Sequence, residues 1–238
     1  HTEYAVVGKS IPRVDIPAKV TGEHPYVHDF KLPGMLHARV IRSTQIGARI
    51  ATVDDRAARQ IKGYVSTVRQ GDFLAVVCTT EWAAVKAARA ISVQWTAGPD
   101  LPPKDRLDAV WRQLPLAKEE ATQKVGQIET AWASAAKKVQ ASYHFAVQTH
   151  ASIGPSCAVA QYENGQLVVW SASQATHSMQ HELSIITQLP KERIRLVYLD
   201  GSGCYGRNGH EDASADAALI AIAIGKPVRV QWMRHDET

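Results

Sequence analysis

The stretch Gly201-Ser202-Gly203-Cys204-Tyr205-Gly206-Arg207-Asn208-Gly209 holds four glycines in nine residues. It follows an apolar run and precedes a helical one. Closely spaced glycines let a backbone approach a ligand and point several N–H groups at it. The positive end of the following helix dipole adds to that field. Such a turn suits a phosphate or another acceptor-rich ligand. Gly201, Gly203 and Gly206 also match G-x-G-x-x-G, the dinucleotide fingerprint. In that fingerprint the third glycine already lies in the helix, whereas Arg207-Asn208-Gly209 extends the loop here. The acidic residues Asp236 and Glu237 come too late for a ribose contact. A nicotinamide-dependent dehydrogenase and a plain tight connection both stay open as alternatives.

Other reactive side chains are scattered. Gln174 follows Ala172-Ser173 at a strand end and is either an amide aimed at a ligand or a polar helix-entry residue. Cys78, Cys157 and Cys204 never form C-x-x-C, which excludes a local iron–sulfur cluster or structural zinc and argues against a disulfide scaffold. Cys204, near a helix start, is expected to be a buried structural thiol rather than a nucleophile. His177 and His181 share a helix face but lack an intervening Glu, so they read as surface histidines, as do His24 and His28. Glu211-Asp212 reads as a capping pair. The six tryptophans are dispersed and read as core.

The elements that must position these residues follow from periodicity. Strands are predicted over 35–41, 64–68, 73–78, 92–95, 139–148, 157–162, 167–172, 195–199 and 228–233, with Asn164-Gly165 as a hairpin turn. Helices are predicted from Asp54 to Gln60, Glu81 to Ile91, Asp105 to Leu114, Ile128 to Ala136, Thr176 to Gln188, and from Asp212 or Ser214 to Ile224. Gly225 and Pro227 stop the last one. The formal charge of +4 is spread without basic runs, which excludes a nucleic-acid track. No apolar stretch approaches the roughly 20 residues of a membrane span. The start at His1 and the featureless end at Thr238 are expected of an excised stretch. The compartment, bacterial cytoplasm or periplasm, is left open.

Two stretches resemble the xanthine dehydrogenase/aldehyde oxidase family. Gly8-Lys9-Ser10-Ile11-Pro12-Arg13-Val14-Asp15-Ile16-Pro17-Ala18-Lys19-Val20-Thr21-Gly22, with Leu32-Pro33-Gly34-Met35-Leu36-His37-Ala38, is similar to the opening of the family's α/β-hammerhead domain. Gln174 with the Gly201–Gly206 loop is similar to the start of its molybdopterin-binding region. Tyr205 stands where the family has Phe, Ser202 and Cys204 where it has Gly. His150-Ala151-Ser152-Ile153-Gly154-Pro155 replaces His-x-x-Met-Glu-Pro. These departures resemble the isoquinoline 1-oxidoreductase and nicotinate dehydrogenase branch.

The resemblance implies an α+β chain: hammerhead domain at 1–98, connector at 99–138, and the truncated N-terminal part of a molybdopterin-binding domain at 139–238. It implies a molybdenum cofactor contacted by Gln174, Gly203, Cys204, Tyr205 and Gly206, with no catalytic or metal-ligating residue here. The parent protein would hydroxylate an aldehyde or N-heteroaromatic compound with water as oxygen source. Electrons would pass to a small [2Fe–2S] subunit, with a cytochrome as candidate acceptor. The remainder of the large subunit is the other expected partner. The isolated chain is expected to be inactive; a non-catalytic docking module is a further alternative.

Overall fold

The computed structural model describes residues 3–207 and 212–237. The chain forms two compact units. One contains the residues up to Ala97 and those from Thr149 on; the other is Gly98–Gln148.

The first unit is built on a mixed seven-stranded sheet. Its strands are β1 (Leu36–Val40), β3 (Tyr64–Gln70), β4 (Phe73–Cys78), β6 (Cys157–Glu163), β7 (Gln166–Ser171), β8 (Ile194–Tyr198) and β9 (Val228–Gln231), in the order β3-β4-β1-β9-β6-β7-β8. β2 (Ile50–Asp54) pairs separately with β5 (Ser92–Trp95). β9 joins the early and late strands: Leu36 lies beside Val228 in parallel register, and Ala158 opposite Val230 in antiparallel register. Strands from the stretches expected to form separate domains thus share one sheet.

β4 is apolar throughout because both of its faces are covered. Leu74, Val76 and Cys78 pack against helix α3 (Glu81–Ala90), while Ala75 and Val77 face the cluster built by helices α6 (Thr176–Thr187) and α7 (Asp212–Ile224). Thr80 caps α3 by accepting the Ala83 N–H at 3.2 Å. α7 lies close to the sheet through Ala213, Ala217, Ala218 and Ala221, all buried. Asn164 (φ 51°) and Gly165 (φ 75°) make the β6–β7 turn, as expected of a two-residue hairpin. α6 begins without a side-chain cap, so Thr176 does not play that part.

Three expectations change. Ile50–Asp54 is a strand that its sequence did not announce. The helix after it, α2 (Arg56–Arg59), has Asp55 at its N-cap position without a side-chain cap bond, while Asp54 Oδ1 accepts the Arg56 N–H at 3.1 Å. Residues 139–148 form no strand. Val139, Tyr143, Phe145 and Val147 alternate as a strand should, yet each is at least 75% exposed. Periodicity fixes which face would be buried, but a strand also needs a neighbour. The rest of the second unit holds α4 (Leu107–Gln113) and α5 (Ile128–Ser134), neither with a buried residue. Among the described residues no helix is long and apolar enough to cross a membrane. The proposed capping residue Glu211 lies outside the described residues.

Candidate functional site

β8 delivers the chain to the glycine loop. Leu199 still bonds to Ser171 O at 3.0 Å, and Asp200 forms an isolated parallel bridge with Tyr26. The Val27 N–H donates to Asp200 O at 2.9 Å, and the Val27 side chain is buried among Cys157, Ala172 and Leu199. The loop therefore starts from a pinned backbone.

The Asp200 carboxylate is pinned as well. Its Oδ2 accepts from Lys19 Nζ at 2.8 Å and from His24 Nε2 at 2.8 Å. Lys19, on helix α1 (Ile16–Thr21), also reaches Asp15 at 2.8 Å, and Arg13 holds the same carboxylate at 2.5 Å. Lys19 holds the Asp200 carboxyl below the usual carboxylate range, and Arg13 with Lys19 does the same to Asp15. Burial, and then the neighbouring Asp200, push the Tyr198 hydroxyl up. The two stretches that carried the family resemblance thus meet at Lys19–Asp200. His24 is half-buried in this cluster, and His28 is half-buried beside the loop, so neither is the surface histidine expected.

Beyond Asp200 the backbone enters conformations that favour glycine: Gly203 at φ 110°, Tyr205 at 52° and Gly206 at 104°. Packing accounts for both glycines. A Cβ on Gly203 would lie 3.0 Å from the Tyr205 ring, and one on Gly206 would lie 2.8 Å from His150 Nε2. Cys204 is the hub. Its S–H donates to Gln174 Oε1 at 3.3 Å, and its sulfur accepts the Gly206 N–H at 3.3 Å. Its carbonyl accepts from Ser152 Oγ at 3.1 Å and from Arg207 N at 3.0 Å. The thiol is only partly buried. The structure thus brings Gln174, Gly203, Cys204, Tyr205 and Gly206 together.

The segment from His150 to Ser156 forms the opposing wall. Arg234 holds the carbonyls of Ser152 and Ile153. Glu237, its ion-pair partner at 2.5 Å, accepts Ser156 N at 2.6 Å and Ser156 Oγ at 2.9 Å. Sequence reasoning missed Arg234, Glu237, Asp200 and Lys19 as parts of this region, because their partners are distant in the chain and no local pattern marks them.

A groove of about 510 Å³ runs along the loop, lined by Tyr26, His28, Asp29, Ile153, Gly201, Ser202, Gly203 and Tyr205. The N–H groups of Cys204 and Tyr205 have no hydrogen-bond partner among the described residues. Such an edge, with the Gln174 amide beside it, fits the acceptor-rich rim of a flat polar ring system. His177 and His181 are exposed on α6, away from any third ligand: no group of three His, Cys, Asp or Glu side chains converges among the described residues. The loop does not open a nucleotide-binding βαβ unit of neighbouring strands either. α7 leads into β9, which lies three places from β8 across the sheet.

The molybdopterin cofactor-binding domain family matches residues 113–238. A nicotinate dehydrogenase component of Pseudomonas putida is 38% identical over 247 residues, covering 99% of this chain and 20% of the relative. The beta subunit of isoquinoline 1-oxidoreductase from Brevundimonas diminuta is 33% identical, covering 98% of this chain and 31% of the relative. The chain therefore spans between a fifth and a third of the length of these curated relatives. In fold it is similar to quinoline 2-oxidoreductase from Pseudomonas putida 86, with a TM-score of 0.77 at 22% identity over 97% of this chain and 35% of that one. Aldehyde oxidoreductase from Desulfovibrio gigas gives 0.77 at 21% identity, over 94% and 30%.

Proposed function

Because the chain belongs to the molybdopterin cofactor-binding domain family, within the xanthine dehydrogenase/aldehyde oxidase group, we propose that it forms one wall of the cofactor site in a molybdenum hydroxylase large subunit. The observation that carries this reading is the loop from Gly203 to Gly206, whose Cys204 and Tyr205 N–H groups have no hydrogen-bond partner among the described residues, with Gln174 tied to it through Cys204. We assign 1–98 to an α/β-hammerhead segment, 99–138 to a connector and 139–238 to the start of the molybdopterin-binding part. These bounds divide the sequence; β9 sews the first and last segments into one sheet.

In the parent protein the reaction is hydroxylation of an aldehyde or N-heteroaromatic carbon. One C–H bond and one water yield C–OH, two protons and two electrons. When bound, the molybdenum cofactor supplies the two-electron centre. The residues of this chain bind and orient. The Cys204 and Tyr205 N–H groups and the Gln174 amide donate to the pterin rim, and Tyr205 shields one side of the groove. Relatives that are themselves single components of larger enzymes support an assembly of several chains. A small [2Fe–2S] subunit as the electron outlet, with a cytochrome beyond it, is our reading of that assembly. No residue of this chain acts as the catalytic base in this reading, and the chain alone does not turn over.

Elemental and pterin analysis of the purified parent protein tests the proposal. One molybdenum and one pterin per large subunit are expected, with loss of most of both in Gln174→Ala. Nicotinate, isoquinoline and a simple aldehyde are then offered with a dye acceptor in ¹⁸O-labelled water, and label should enter the product. A parent free of molybdenum and pterin would overturn the reading.

A further inference from the structure

We propose that His28 is a positioning residue that sets the shape of the glycine loop through Ser202. The proposal deepens the cofactor-site reading and rests on it for its functional meaning. Its structural content does not.

His28 lies at the end of the short run 26–28 that is sewn to the base of the loop by the Tyr26–Asp200 bridge and the Val27 N–H. Its ring is half-buried. Nε2 lies 2.7 Å from the carbonyl oxygen of Pro155. A carbonyl can only accept, so Nε2 must carry the proton. In the neutral ring that leaves Nδ1 as a lone pair, and the Ser202 hydroxyl lies 3.5 Å from it. Ser202 then donates to Nδ1. The tautomer is thus dictated from one side and read out on the other.

Distance alone makes the Ser202 contact a weak hydrogen bond. Packing strengthens the assignment. Gly154, beside Pro155, has no room for a side chain. A Cβ there would overlap Ser202 Oγ and come within 3.0 Å of His28 Cε1 and Nε2. His28, Gly154 and Ser202 therefore close on one another from three distant parts of the chain. All three line the same narrow space next to Cys157 and Ala172. His28 and Ser202 also line the open groove. His28 holds the wall at Pro155 and the loop at Ser202 in a fixed relation, and this relation decides how Gly203 to Gly206 present their N–H groups.

Hydrogen exchange of the full 238-residue chain tests the proposal directly, peptide by peptide. In His28→Ala, the Gly206 and Arg207 amides, which bond back to Cys204, should exchange roughly three- to tenfold faster, the range expected when one hydrogen bond is lost. Strand β6 should be unchanged. His28→Gln, which can still donate to the Pro155 carbonyl, should recover part of the protection. Ser202→Ala should loosen the loop to a similar degree, and His28→Ala/Ser202→Ala should be no worse than His28→Ala. Gly154→Ala is an independent probe. Its backbone is not among those at positive φ, so the added methyl acts by pushing Ser202 and His28 apart, and it should loosen the same amides.

If His28→Ala does not fold, Ser202→Ala and Gly154→Ala carry the test. Loop exchange equal to wild type in the folded variants would overturn the proposal, as would additive effects in the double variant. A second arm measures pterin retained by the parent protein carrying the same substitutions. A parent that never holds pterin sinks the cofactor reading and leaves the exchange result standing. Altered exchange with unaltered pterin content leaves His28 a loop clamp and removes its role toward the cofactor.

Discussion

Arg42 and Asp216 meet as a close ion pair, with Arg42 Nη2 at 2.7 Å from each carboxylate oxygen. Asp216 is 4% exposed on α7 and also accepts the Trp232 indole N–H at 2.8 Å. The Arg42 guanidinium sits 4.8 Å from the Trp232 ring centre. One carboxylate thus joins the end of β1, the middle of α7 and the end of β9. Asp216→Ala leaves a charge and an indole N–H without their acceptor, and should cost about 3 kcal/mol. Asp216→Asn keeps an acceptor for Trp232 and should cost less. Urea unfolding of the three proteins measures both.

Acid should weaken the link between Asp200 and Lys19. The Asp200 carboxyl is held below its ordinary value, chiefly by Lys19. A depressed carboxylate contributes stability above its unfolded pKa of about 3.9 and loses it as pH falls through the lower folded value. The stability gap between wild type and Asp200→Asn should therefore be full at about pH 6 and shrink below about pH 4. Denaturation midpoints across that range check the sign; a gap that widens in acid would contradict it.

Gly206 and Gly225 separate backbone strain from crowding. Both have positive φ, at 104° and 61°, but only Gly206 faces a neighbour, His150. Gly225→Ala should cost about 1 kcal/mol. Gly206→Ala should cost at least that much again and, in the parent protein, lower pterin retention. Thermal unfolding together with pterin fluorescence would show whether the two effects part.

The core on the α6 and α7 side should tolerate truncation poorly. Leu183 is fully buried there, and Ile185, two residues on, is 65% exposed. Leu183→Ala should cost about 2–5 kcal/mol through lost burial and a cavity. Ile185→Ala should stay within about 0.5 kcal/mol. Equal effects in urea titrations would place α6 differently.

What could be read from sequence divides by range. Phe73–Cys78 and Ser92–Trp95 were legible to the residue, because an apolar run or a change of period is a local property. The glycine loop was legible for the same reason. Residues 139–148 carried an equally good local pattern and yet form no strand, since pairing is decided by a partner elsewhere. The insertion of β9 between β1 and β6 left no mark in either stretch. His28 carried none either: its meaning lies in Pro155 and Ser202, and a histidine beside a proline-containing loop looks like any other. The tryptophans divide too: Trp232 is buried as expected, whereas Trp82, Trp111 and Trp132 are exposed.

The seat of β9 also bears on how the polypeptide reaches this shape. While a ribosome has released only the residues up to Ala97, β1 has β4 on one flank and nothing on the other. Its open edge must wait for Val228–Gln231 to emerge. Contacts so far apart form slowly, and unpaired edges invite mispairing in the interval. An edge left open until β9 is made favours mispairing, and a chaperone that covers strand edges should raise the soluble yield of this protein.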